Sequence, residues 1–390
     1  MDYLKRLWLV CICLGYLLPA KAQDTSAVKS IKVAVFAPLY IDSAFANDTY
    51  KLGKANLPKY LLPGLDFYNG VMLAIDSLNA EKTALEVQIY DTKSSSMGID
   101  ELLEQPELQD VSLLIASFNN RADIKPLADF AKEKNILLIS ATYPNDGGIE
   151  DNPNFVLLNP TLTAHIEAVY KYVHRTYPLD NITLFRRKGG TEDQIQTILG
   201  NLNKRTGGIP LKLKTIELTD SFTTQQVTAY LDSTKRNVVI CGTLNEGFGL
   251  LLSKALSSSK QYPAVVIGMP TWDALRDIGT GIDMVYTTPY NYFRQDKLSS
   301  QLSEKYRARF AGRASDLVFK GFETMYRFSK LLIKYGPELK NNLSAKEFKL
   351  FNDFDIQAVT AEENNAVTNY LENKKLYLVH KQDGKLKSVN

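Results

Sequence analysis

Short β-branched and apolar runs alternate with longer amphipathic runs along this chain, and the alternation begins again near its middle. "IKVAVFAPLY" (31–40) reads as a buried strand, and "LDFYNGVMLAIDSLNAE" (65–81) carries Val71, Leu73, Ala74, Ile75 and Leu78 at helical spacing. "LEVQIYDT" (85–92) alternates as a strand does, and "VSLLIAS" (111–117), "IKPLADFAKEKN" (124–135) and "ILLISAT" (136–142) continue the series. A β-α-β-α-β order of this kind forces a parallel sheet with helices on both faces.

The second series runs from "NPTLTAHIEAVYKYVHRTYP" (159–178), a long helix with an Asn or Thr cap, through the strands "NITLFRR", "LKLKTIEL", "NVVICGT" and "AVVIGM" with helical runs between them. After "VYTTPYNYF" two more helices follow, then strand-like pieces, the last a hairpin turning at Asp383-Gly384. The expectation is an α/β protein of two Rossmann-like lobes with parallel sheets joined by a multi-strand hinge. Residues 29–160 plus 289–345 form the first lobe and 161–288 plus 346–390 the second.

The chain opens with Lys5 and Arg6, an apolar run from Leu7 to Leu18, and Ala20-Lys21-Ala22, the pattern of a secretory signal peptide over residues 1–22. Cys11 and Cys13 lie in mid-run, whereas a lipid-bearing cysteine closes such a run, so a periplasmic protein without a lipid anchor is expected. Cleavage after Ala22 leaves Cys241 as the one cysteine, which excludes an internal disulfide. Within "NVVICG", Cys241 reads as a small buried hydrophobe. Removal of the leader takes away three cations and one anion, so the net charge falls from +3 to +1. That balance has no footprint for nucleic acid.

The residues that carry a resemblance are spread over the chain from about Ile31 onward. "IKVAVFAPLY", "DFYNGVMLAIDSLN" and "VQIYDT" resemble the opening β-α-β of type I periplasmic solute-binding proteins, the group that includes the leucine/isoleucine/valine-binding proteins. "LADFAKEKNILLISAT" resembles its next helix and strand, "GMPTWDALRDIGTGIDMVYTTPY" the approach to a hinge crossing, and "LYLVHKQDGKL" the closing hairpin. The opening segments are also similar to the binding-protein-like domains of Bacteroidetes envelope proteins that carry LysM modules, though no LysM module fits in this chain. The resemblance implies a cleft between lobes that closes on a small polar solute such as an amino acid or peptide. It implies no cofactor, and a membrane permease of an ABC-type importer as partner. The competing reading is an envelope scaffold or regulator acting with a peptidoglycan-associated protein.

In open parallel sheets, ligands bind beyond the carboxyl ends of the strands. In the first lobe those ends nominate Tyr40, Ser117, Phe118, Asn119, Thr142 and Tyr143. The amino-acid binders use the loops after the matching strands to hold the ligand carboxylate, which implies that role for Ser117, Asn119 and Thr142. Capping of the following helices is the competing role, and packing under a loop competes for the aromatics. In the second lobe the ends nominate Arg187, Thr243, Glu246, Trp272 and Asp273. The glutamate that pairs with a ligand ammonium in the family falls near Pro270-Thr271, neither of which can serve; Glu246 and Asp273 are the candidate substitutes, and the departure counts against an aliphatic amino-acid ligand. Arg186 and Arg187 raise an anionic ligand as the alternative, with a solvated loop as the competing role, since adjacent residues at a strand end face opposite ways.

Catalysis finds no support in motif: there is no G-x-S-x-G, H-E-x-x-H or G-x-G-x-x-G. His165 and His174 stand nine residues apart on one helix, so they face opposite sides and cannot share a metal. The segment 41–64 is long for a βα loop and reads as a cover for the cleft mouth, a docking surface or a plain excursion.

Overall fold

The computed structural model describes residues 31–47, 49–53, 57–275, 281–292, 294–361, 367–382 and 385–389. The signal-peptide reading for 1–22 and the Asp383-Gly384 turn lie outside them. In chain order the first unit contains β1 (Ile31–Ala37), α1 (Ile41–Ala44), the small hairpin β2 (Phe45–Ala46) and β3 (Thr49–Tyr50), α2 (Leu62–Ala80) and β4 (Leu85–Asp91). Next come α3 (Ile99–Leu103), β5 (Leu113–Ala116), α4 (Ile124–Lys134), β6 (Leu137–Ser140) and β7 (Phe155–Leu157). The second unit begins with α5 (Leu162–Thr176), β8 (Asn181–Arg186), α6 (Gly190–Arg205), β9 (Lys212–Glu217) and α7 (Thr224–Thr228). It continues through β10 (Asn237–Cys241), α8 (Glu246–Ser258), β11 (Ala264–Ile267) and β12 (Asp283–Thr288). The chain then returns with α9 (Lys297–Phe310), α10 (Asp316–Tyr335), β13 (Ile356–Thr360), β14 (Thr368–Asn373), β15 (Tyr377–Gln382) and β16 (Lys385–Val389).

Two seven-stranded sheets result, ordered β13-β14-β7-β6-β5-β1-β4 and β16-β15-β12-β11-β10-β8-β9. The first is parallel except where β13 pairs antiparallel with β14, and the second is parallel except at β15 and β16. The period of two in each strand divides its side chains between cores on the two faces. Val33, Val35 and Ala37 of β1 enter one core, while Ala34 and Phe36 enter the other. In the second lobe Val239 and Cys241 of β10 face one core, and Val238 and Ile240 the other. Cys241 is fully buried, and burial pushes its thiol up to about 12, as a structural cysteine requires.

Local chemistry sets the helix ends. Thr161 caps α5, accepting from Ala164 N–H, and Asn245 caps α8, accepting from Phe248 N–H at 2.8 Å. Asn135 ends α4 in the left-handed conformation at φ 51°. The close approach of α2 and α10 depends on glycine: a Cβ on Gly70 meets Val318 O at 2.1 Å, and one on Gly321 meets Phe67 O at 2.2 Å.

Among the described residues the chain passes between the lobes three times, between β7 and α5, between β12 and α9, and between β14 and β15. The expectation that 346–390 returns whole to the second lobe is corrected here. β14 lies parallel to β7, with Leu371 opposite Val156, and β13 adds outside it, so both strands extend the first sheet. Phe351 and Phe354 are buried in the first lobe's core. Only β15 and β16 join the second sheet.

Candidate functional site

The crossings fix which sheet edges face each other. β7 ends at Leu157 and the chain leaves its carboxyl end for α5, so the carboxyl edge of the first sheet faces the second lobe. β12 ends at Thr288 and the chain leaves that end for the first lobe, so the carboxyl edge of the second sheet faces back. The two edges where helix N-termini present free N–H groups are thus the two walls of one cleft.

On the first wall the residues following β5 and β6 meet. Ser117 Oγ and Thr142 Oγ1 are 3.0 Å apart, and the Thr142 carbonyl accepts from Asn159 Nδ2 at 2.5 Å, which ties this wall to the first crossing. Asn119 Nδ2 donates to Tyr40 Oη at 2.8 Å. Tyr40 itself has φ 55°, a left-handed backbone that costs a residue with a Cβ. Asp91, from the "YDT" at the end of β4, offsets that cost. Its carboxylate accepts the N–H groups of Leu39, Tyr40 and Ile41 at 2.9, 3.1 and 2.8 Å, and that of Lys93 at 2.9 Å.

Asp42 does the same for the neighbouring loop, accepting from Ser94, Ser95 and Ser96, and these bonds hold its carboxyl down at about 2. The segment after β1 is therefore fastened to the first lobe's rim. Phe118 is buried in the core and Tyr143 packs half-buried against it, so both aromatics serve the loop.

The second wall is occupied by its own charges, and several expectations are corrected there. Arg186 is buried and pairs with Asp193 at 2.5 Å, with Gln196 Oε1 accepting from Nη1 at 2.7 Å. Arg187 lies 3.2 Å from Asp220 and 3.9 Å from Glu192. Both guanidiniums are already paired with carboxylates from α6 and the loop after β9, which counts against an anion at either. Thr243 is fully buried and donates to Glu192 Oε1 at 2.5 Å. Trp272 is fully buried in the second lobe's core, in a slot that Gly249 and Gly268 leave open; a Cβ on Gly268 meets its ring at 2.2 Å. It cannot contact a solute. Asp273 accepts the hydroxyls of Tyr286, at 3.4 Å, and of Tyr292. Glu246 is exposed in the first turn of α8, where it complements the helix N-terminus.

Between the walls, beside the first crossing, lies a cavity of about 490 Å³. Pro144, Asn145, Asp146 and Glu372 come from the first lobe, Leu162, Glu167, Thr191, Gln194 and Leu244 from the second, and Thr161 and Lys374 from the crossings. None of the eleven nominated residues lines it, although Tyr143 and Thr243 immediately precede residues that do. Glu372 is 1% exposed, accepts from Thr161 N–H at 2.7 Å and pairs with Lys374. Asp146 accepts from Tyr370 Oη at 3.0 Å, and burial with the Asp146 carboxylate raises that phenol's pKa.

The Thr161 cap was legible in the sequence. Glu372, Lys374 and Asp146 had no local signal, since each acquires its place from a strand or loop pairing made far along the chain.

His165 is buried at the root of α5, with Nδ1 2.8 Å from Thr287 Oγ1, and burial lowers its pKa to about 3. His174, on the other side of that helix, contacts Ile209 O at 3.0 Å. Among the described residues no group of three or more His, Cys, Asp and Glu is placed to hold a metal ion, and no helix is long and apolar enough to cross a membrane.

No protein-family model matches the chain, and no curated protein matches its sequence. Solved structures do match it. A putative branched-chain amino acid ABC transporter protein from Rhodospirillum rubrum superposes with a TM-score of 0.65 at 11% identity, over 92% of this chain and 100% of the other. An ABC transporter substrate-binding protein from Desulfitobacterium hafniense, in complex with leucine, gives 0.58 at 11% identity over 92% and 99%. The branched-chain amino acid transporter substrate-binding protein LivJ from Streptococcus pneumoniae, in complex with isoleucine, gives 0.52 at 14% identity over 93% and 99%. The fold is that of the type I periplasmic binding proteins.

Proposed function

We propose that this chain captures a small polar solute between its lobes, without transforming it, and delivers it to the membrane permease of an ABC-type importer. The observation that carries the reading is the inter-lobe cavity of about 490 Å³, whose lining comes from both lobes and from the crossings between them. A ligand there touches both walls only when they approach, so its binding favours the closed arrangement. Pro144, Asn145 and Asp146 hold the solute on the first lobe, and the N-terminal turn of α6 with Leu244 meets it on closure.

The leucine and isoleucine held by the proteins of the same fold make amino acids the first class to test. The glutamate expected near Pro270-Thr271 is missing, but Asp146 and Glu167 line the cavity and can pair with a ligand ammonium. An amine-bearing solute therefore fits better than an anion, because both arginines of the second wall are already paired.

Native mass spectrometry of protein purified gently from its own envelope tests the proposal. A retained small molecule, together with a smaller radius of gyration than the stripped protein, is the expected result. Protein that carries nothing and shows no thermal shift with amino acids or short peptides overturns it.

A further inference from the structure

The opposite end of the first lobe holds a second cavity, of about 480 Å³. Ile31 and Leu137 begin β1 and β6, so the cavity lies at the amino edge of the sheet, a full strand length from the cleft. Leu332 at the end of α10 and Leu339 of the following 3-10 turn close it with hydrocarbon, together with Ile31. Its polar side is a short relay. Lys340 Nζ donates to Asn154 Oδ1 at 3.2 Å, and Asn154 Nδ2 donates to Asn135 Oδ1 at 3.1 Å.

An ammonium has three donors, and the one bond shown for Lys340 is to a neutral amide. Burial lowers its pKa, and among the described residues no carboxylate offsets that. The contrast with other lysines of this lobe is direct: Lys93 and Lys330 each sit within 2.8 Å of a carboxylate. A cation drawn partly out of water without a counter-ion costs free energy that an anion returns. Opposite the polar relay, Ile31, Leu332 and Leu339 line the cavity with hydrocarbon, so an anion with an apolar body gains more there than an inorganic one.

We propose that this cavity binds a small amphipathic monocarboxylate, its carboxylate on Lys340 and the Asn154–Asn135 relay and its hydrocarbon against Ile31, Leu332 and Leu339. The site is separate from the cleft, so it stands whether or not the solute-capture reading holds.

Calorimetric titration of the full chain with octanoate tests it, with octylamine as the charge-reversed control. One saturable equivalent of octanoate and no binding of octylamine is the expected result. Lys340→Met weakens octanoate at least tenfold, Lys340→Arg restores most of that loss, and Ser117→Ala with Thr142→Val leaves it unchanged. A thermal melt of each variant checks the fold, and Lys340 is only half-buried, so its replacement leaves the core intact. Equal affinity for octanoate and octylamine, unaltered affinity in Lys340→Met, loss of binding in the cleft variant, or no saturable binding each overturns the assignment.

Discussion

The buried carboxylate of Glu323 accepts both the main-chain N–H and the side-chain amide of Asn352, at 2.8 and 2.6 Å. It also accepts from Phe351 N–H at 2.9 Å. Asn352 Oδ1 in turn accepts from Asn291 N–H at 3.0 Å, and Asp353 N–H donates to Tyr377 Oη at 2.8 Å. Asn291 belongs to the second crossing and Tyr377 follows the third, so one turn, anchored on α10, fastens two of the three connections between lobes.

Removing that anchor leaves two buried N–H groups and an amide without an acceptor. Glu323→Ala is expected to cost about 3–5 kcal/mol, and Glu323→Gln less, since the amide oxygen still accepts. Urea denaturation of the two variants measures the difference. Equal, small losses for both would show that the turn is held by its apolar residues instead.

Lys320 gives a pH dependence with a definite sign. It is 1% exposed, its ammonium has no hydrogen-bond partner among the described residues, and it lies 5.8 Å from the Tyr290 ring and 5.5 Å from that of Phe354. Glu323 on the same helix is the charged group that acts on it and favours the ammonium, but burial dominates and lowers its pKa from 10.5 to about 8. A depressed pKa means the charged form is disfavoured in the fold. The penalty is absent above pH 10.5, grows as pH falls, and is complete below about 8. Relative to Lys320→Met, the native chain should gain about 3 kcal/mol between pH 7.5 and 10.5. Parallel stability curves for the two proteins would refute this.

The α2–α10 contact is expected to tolerate no added carbon. Gly70→Ala and Gly321→Ala each drive a methyl into backbone of the facing helix, which cannot move as a flexible side chain would. Overpacking of this kind costs about 1–3 kcal/mol, and more when backbone must shift. Gly207→Ala, with open space around it, is the control and should change the denaturation midpoint little.

Affinity and stability should separate across the two walls. Asp146→Asn removes a carboxylate charge on the first-lobe side of the cavity while keeping an oxygen to accept from Tyr370 Oη, and should weaken an amine-bearing solute at least tenfold with little change in melting. Trp272→Ala should do the reverse in kind, costing about 3–5 kcal/mol by emptying a packed slot. Solute affinity measured at a temperature where that variant remains folded should be unchanged. A selective loss of affinity in Trp272→Ala would return the indole to the cleft.

The fold was legible because its signals are local. The apolar runs in "IKVAVFA" and "NVVIC", the helical spacing in "GVMLAIDSL", and the Asn or Thr cap that Thr161 supplies each report on a few adjacent residues, and each has its predicted role. The site was legible only as an edge. Ser117 with Thr142, and Tyr40 with Asn119, do meet there. Arg187, Thr243 and Trp272 stand at the ends of the right strands but are consumed by Glu192, Asp220, Gly249 and Gly268.

The amino-acid sequence by itself determined two largely parallel sheets, their helices and the burial of Cys241, and it nominated the carboxyl edges of the strands as the place for a ligand. Backbone hydrogen bonding and side-chain periodicity act over neighbouring residues, so the order of elements leaves no other arrangement for these runs. Tertiary structure alone decided that β13 and β14 complete the first sheet, that both arginines are neutralised, and that Glu372 and Lys374 line the cleft. Whether a charge or a ring is available to a solute depends on what packs against it from distant parts of the chain, and long-range pairing sets that.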